Sequence, residues 1–188
     1  MALSSGAMNR LTAALVASLF VAACTSDTTE PRDSSDDYAA ISKLDSKDAI
    51  ARANEWRVTK PDVMTFVTPQ ELDVKFPDGR EVKLPLPASE MFIAIAPYVD
   101  KTHVCATHYI SKCDGEMKLT TFRVTAKDES GAVAFERDVT SLDNGFFELW
   151  LPRGKTFNMH IAQGARAADV SIATASDSPT CISTAQLK

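Results

Sequence analysis

Three cysteines and a histidine carry the reactive side chains of this 188-residue chain: Cys105, His108, Cys113 and Cys181. Two of the thiols flank the imidazole in Cys105-Ala-Thr-His108-Tyr-Ile-Ser-Lys-Cys113. Cys105 and His108 are three positions apart, so a helical turn or tight loop turns both side chains to one side. Cys113 comes within reach if the loop folds back. Thiolate and imidazole ligands suit Cu(I) or Zn(II). A site of two or three such ligands favours Cu(I), because structural zinc takes four; the ligand count leaves zinc open as the weaker choice. The competing reading is a plain disulfide between two of the three cysteines, with the third a small buried hydrophobe. Spacing by itself leaves both readings open. His103, in Thr102-His103-Val104, is an additional candidate ligand and more readily an incidental loop histidine than His108. His160 alternates with Met159 on a strand and reads as structural. Met91, Met117 and Met159 are spread over strands and read as core.

The fourth cysteine, Cys24, belongs to a different device. Leu11 to Ala23 is a short apolar run behind Arg10, the pattern of a secretory signal and too short to span a membrane. Its Val21-Ala22-Ala23-Cys24 ending resembles a bacterial lipobox, which implies lipidation of Cys24. Residues 1–23 are then a lipoprotein signal peptide. Residues 24–37, rich in Ser, Thr and Asp, form a flexible linker between lipid and domain. The expected location is extracytoplasmic: periplasmic, or anchored to the outer face of the cytoplasmic membrane. Removing residues 1–23 deletes one charge, Arg10, and takes the net charge from −5 to −6. No cluster of Lys and Arg exists to neutralise phosphates, so a nucleic-acid partner is excluded.

The elements that must position the cluster are mostly strands. Residues 38–88 read as an N-terminal unit. It holds amphipathic helix between Tyr38 and Arg57, with Ser46 as N-cap, then a strand at Val63–Val67 and a hairpin turning at Pro77-Asp78-Gly79. Residues 89–188 read as a β-sandwich with the Cys/His site. Strands fall at Met91–Val99, Met117–Lys127, Ala132–Val139, Phe146–Leu151, Thr156–Ile161, Val170–Thr174 and Cys181–Thr184, with 102–115 a loop. The stretch Asp128 to Ile161, with Asn144-Gly-Phe and Leu151-Pro-x-Gly, resembles the repeat grammar of transthyretin-like sandwiches. The fold class is therefore mainly β with an N-terminal helical segment (α+β), ending in a transthyretin- or Ig-like antiparallel sandwich. No nucleophile elbow, zincin, P-loop or dinucleotide motif occurs, and Asp143-Asn144-Gly145 reads as a turn.

Further segments carry a family resemblance. Ala53-Asn-Glu-Trp-Arg57, Phe76-Pro-Asp-Gly79, Ile95-Ala-Pro-Tyr98, Thr102 to Glu116, Leu149-Trp-Leu-Pro-Arg153 and Thr180-Cys-Ile-Ser-Thr184 resemble the CueP family, exported bacterial copper-binding proteins linked to copper resistance. The resemblance implies copper held by Cys105, His108, Cys113 and Cys181, with an N-terminal part that supports a homodimer. No catalytic residue is expected; from the ligand set itself, a thiol pair could reduce Cu(II) stoichiometrically, and storage, reduction and delivery to a copper-accepting partner protein all stay open. The alternatives are a surface-anchored sandwich module with a structural disulfide, and a thiol–disulfide oxidoreductase. Against the latter stands the missing Cys-x-x-Cys.

Overall fold

The computed structural model describes residues 34–188, and residues 33–188 form one compact unit. The segment expected to be a signal peptide, Cys24, and most of the expected linker lie outside the described residues.

Two helices open the fold: α1, Ser34–Ile41, and α2, Ser46–Thr59. α1 begins inside the segment expected to be linker, and Asp37 forms an ion pair with Lys60. The N-cap of α2 is Asp45, one residue before the expected Ser46; its carboxylate accepts the Lys47 and Asp48 backbone N–H groups at 2.9 Å. Ser46 is instead the first helical residue and is buried. Ala49, Ile50, Ala53 and Trp56 recur at helical spacing and make the inward stripe.

Three sheets follow. The first is β1 (Met64–Val67), β2 (Glu71–Lys75) and β3 (Glu81–Pro85), antiparallel in that order. Gly79, at φ +87°, supplies the left-handed residue in the hairpin turn between β2 and β3. The second sheet is built around β4 (Glu90–Ile95), with β7 (Phe147–Pro152) antiparallel on one side and β10 (Cys181–Ile182) parallel on the other. The third runs β6 (Val133–Thr140), β5 (Thr121–Asp128), β8 (Thr156–Gln163), β9 (Arg166–Ala173). β5 starts later than the alternation predicts, because Leu119 turns the chain at φ +50° and is exposed.

The second sheet is the middle layer. Met91, Ile93 and Ile95 of β4 join Phe122, Val124, Phe157, Met159 and Ile161 of the third sheet in one core. Phe92 and Ala94, on the opposite face of the same strand, join Trp56, Leu72, Val74, Phe76 and Ile110 in the other. A strand buried on both faces has no polar alternation, which is why Met91-Phe-Ile-Ala-Ile95 reads as a continuous apolar run. Among the named strands the antiparallel expectation holds for every pairing but one: the short β10 lies parallel to β4 at its open edge, and an isolated parallel bridge, Tyr98–Gln186, follows it. At that edge Ala94 and Ala96 donate backbone hydrogen bonds to Thr180 (2.8 Å) and Ile182 (2.9 Å).

Candidate metal centre

The cysteine loop leaves β4, runs along β1 at the edge of the first sheet and returns to β5. Its shape is set by hydrogen bonds to two elements, β1 and the entry to β10, and by bonds within the loop. The His108 carbonyl accepts the Val67 N–H of β1 at 2.9 Å. The Thr180 hydroxyl, just before β10, donates to the Val67 carbonyl (2.6 Å) and accepts the His108 N–H (3.1 Å). The Ala106 carbonyl accepts both the Thr180 and Cys181 N–H groups, at 2.9 and 3.1 Å. Lys112 and Cys113 then fold back, both donating to the Tyr109 carbonyl. Thr180 is thus a buried hub on which β1, the loop and the last strand meet.

This framework brings the three sulfurs together. Cys105 and Cys181 form a disulfide with a Cα–Cα distance of 5.6 Å. Among the described residues Cys113 is the unpaired cysteine; it is buried, and its Sγ lies 3.6 Å from the Cys105 Sγ. Burial pushes its thiol pKa up. The ligand atoms of His103, Cys105, Cys113 and Cys181 all lie within 4.8 Å of one another. A cleft of about 580 Å³, lined by His103, Cys105, Tyr109 and Cys113 among others, opens the group to the surface.

The two loop histidines exchange their expected prominence. His103, the lesser candidate by sequence, is the imidazole in the four-residue group. His108 is outside that group and fully buried, its ring against Phe146 at 4.7 Å and Phe92 at 6.0 Å between centroids. Among the described residues neither ring nitrogen of His108 has a hydrogen-bond partner. Burial, with a smaller contribution from His103, pushes its pKa down to about 3, so the apo imidazole is neutral. A buried neutral imidazole with unused nitrogens is costly unless something takes them up. His160 is remote, on β8, pairing with exposed Asp169 at 2.8 Å. Met91 and Met159 lie in the sheet–sheet core, as their strand positions predict.

Several supporting residues were not singled out by sequence reasoning. Glu116 accepts the N–H groups of Val99, Asp100 and Lys101 on one oxygen, at 3.2, 3.0 and 2.7 Å, and clamps the start of the loop. The Lys101 N–H foremost, with the Asp100 and Val99 N–H groups, holds its pKa below the usual range. Gly115 and Gly145 pass in contact, and a Cβ on Gly145 would come 2.5 Å from the Gly115 carbonyl oxygen. Arg57 of α2 reaches Asp143 (3.0 Å) and Asp114 (3.9 Å), tying the helix to both sides of that crossing. Asn54 of α2 donates to both carboxylate oxygens of Glu148 on β7, at 2.9 and 3.1 Å. Burial raises the Glu148 pKa to about 7 against that bond.

With the Cys105–Cys181 disulfide reduced, the three thiols and the imidazole are a soft donor set, suited to a soft metal ion more than to oxygen-loving cations. A family model described as "Periplasmic copper-binding protein CueP" matches residues 44–186. The chain belongs to the CueP family. The crystal structure of S.CueP aligns with a TM-score of 0.75 and 26% identity, covering 85% of this chain and 98% of that one. No curated protein matches the chain in sequence. The CueP match spans both helix–hairpin and sandwich and includes the whole cysteine loop. It makes the chain a member of a periplasmic copper-binding family, and the His103, Cys105, Cys113 and Cys181 group is one that could hold a metal ion.

Proposed function

We propose that this CueP-family protein captures copper as Cu(I) in the cell envelope. Cys105, Cys113 and Cys181 are the thiolate ligands, His103 the outer imidazole and His108 the inner one. The observation that carries this reading is the convergence of three sulfurs and the His103 nitrogen within 4.8 Å. The unused nitrogens of buried His108 support a second imidazole donor, and the copper-binding family match over residues 44–186, a range that contains all of these residues, supports a copper role.

The reading includes reduction. Two thiols lose two electrons and two protons and become a disulfide, while two Cu(II) ions each gain one electron. The resulting Cu(I) prefers the remaining thiolate and imidazole. Sequestering Cu(I) limits its redox cycling, which is the physical basis for a part in copper resistance. Cys24 carries a lipid that holds the domain near the membrane, residues 38–88 carry a homodimer contact, and a downstream protein accepts the copper. The mass of the mature N-terminal peptide tests the anchor, and sedimentation tests the dimer.

The decisive experiment titrates the reduced chain with Cu(I) against a competing chelator without oxygen, and counts thiols before and after Cu(II) is added. Cys105→Ser and Cys113→Ser each weaken Cu(I) binding by at least about tenfold. Two thiols disappear for every two Cu(II) reduced. Unchanged affinity in both variants would overturn the copper site and leave an interaction module with a structural Cys105–Cys181 disulfide.

A further inference from the structure

An odd number of clustered sulfurs has a consequence beyond ligand counting. The Cys105–Cys181 disulfide has a third sulfur against it: Cys113 Sγ is 3.6 Å from Cys105 Sγ, at van der Waals contact. Cys105 is half-buried, whereas Cys113 and Cys181 are buried. Cys105 is therefore the one sulfur with a partner bonded to it and a second partner poised on it.

We propose that the oxidised protein carries a migrating disulfide: Cys113 attacks Cys105, Cys181 leaves, and the chain interconverts between Cys105–Cys181 and Cys105–Cys113 forms. The Cys113 thiol gives its proton to solvent and its sulfur bonds to Cys105 Sγ. The Cys105–Cys181 bond breaks, and Cys181 leaves as a thiolate that takes up a proton. No electrons enter or leave the protein, so the exchange needs no external oxidant or reductant.

The scaffold survives the change of partner because other bonds hold each cysteine. Cys181 stays on β10 through its N–H to Ala106 and the pairing of β10 with β4. Cys113 keeps its N–H on the Tyr109 carbonyl. The Cys113 and Cys181 sulfurs both lie within 4.8 Å of the His103 nitrogen, so whichever of them the exchange frees is a thiol beside that imidazole. Resting on the copper reading above, this means that oxidation does not disarm the site: a thiolate–imidazole pair, sufficient for two-coordinate Cu(I), persists in both forms.

The test needs no copper, so its result is separate from that of the titration. The full chain is oxidised, quenched in acid to stop exchange, denatured, alkylated at low pH and mapped by mass spectrometry, with the Cys24 peptide scored separately. The expected map contains both disulfides, the minor one in at least about a tenth of the oxidised chains, with alkylation divided between Cys113 and Cys181. Cys181→Ser then oxidises to Cys105–Cys113 within about tenfold of the rate at which Cys113→Ser forms Cys105–Cys181. A wild-type map holding Cys105–Cys181 alone, with Cys113 the only one of the three alkylated, would overturn the proposal, and it does so whether or not Cys181→Ser folds. Two disulfides together with unchanged Cu(I) affinity in the cysteine variants would leave the migrating bond standing and remove the copper reading instead.

Discussion

At the scale of single residues, His108 is the most informative side chain. It occupies a slot between Phe92 and Phe146 where a leucine would pack without leaving polar atoms unpaired. His108→Leu is therefore expected to leave apo stability unchanged or raised by about 1 kcal/mol, and to lower Cu(I) affinity at least about tenfold. A melt of the apo protein beside the chelator titration reads both. The same burial makes a pH prediction. A histidine whose pKa falls from 6.5 unfolded to about 3 folded binds its proton more weakly in the native state. Apo stability is then lost as pH falls from about 6.5 towards 3, by up to about 4 kcal/mol, and His108→Leu removes that loss. The cysteine–histidine motif was legible in the sequence because it is local. That His103 and not His108 stands beside the sulfurs was not legible, since both lie in one irregular loop and only the Val67 and Thr180 bonds decide which ring turns inward.

At the scale of elements, α2 is the brace. It is capped by Asp45 and tied to β7 through Asn54–Glu148 and to the loop through Arg57. Asp45→Ala is expected to cost about 1 kcal/mol in a denaturant melt, while Ser46→Ala does not affect the cap. Glu148 works in the opposite pH sense to His108. Its folded pKa is raised from 4.5 to about 7, so its contribution is full below about 4.5 and is lost as pH rises through 7. Glu148→Gln should stabilise the protein by about 1–2 kcal/mol at pH 8 and leave it little changed at pH 4. Comparing pH profiles of Glu148→Gln and His108→Leu separates two opposing slopes that partly cancel in the wild type. The crossing of Gly115 and Gly145 gives a third check. Gly145→Ala adds a Cβ where the Gly115 carbonyl already sits, at a φ of +78°. The expected cost is about 2–4 kcal/mol, with a faster reaction of Cys113 with thiol reagents as the loop is pushed outward.

For the whole molecule, one link joins the loop after β4 to the last strand across 76 residues. Reducing Cys105–Cys181 is expected to lower the stability of the apo protein by about 2–4 kcal/mol, through the entropy restored to the unfolded chain. Cu(I) bound by the same sulfurs should restore it, because a ligand that binds only the native state stabilises by mass action. Melts of the reduced protein with and without Cu(I) measure both steps. Trapped by that link and by β10, the C-terminus is part of the site and not an appendage.

Strands and helices follow from local pattern, which the sequence displays: alternation at β5, β7 and β8, an unbroken apolar run at β4, a helical stripe from Ala49 to Trp56. Soft donors in a loop are equally local; their spacing left a metal site and a plain disulfide both open, and the family resemblance tipped the reading to copper. Tertiary structure alone decided the rest. It laid β10 parallel beside β4, set the middle sheet between two cores, and chose which two of three sulfurs bond and which imidazole joins them. Those outcomes depend on contacts between residues some seventy positions apart, as between His108 and Thr180, and hydrophobic periodicity carries no information about partners at that distance.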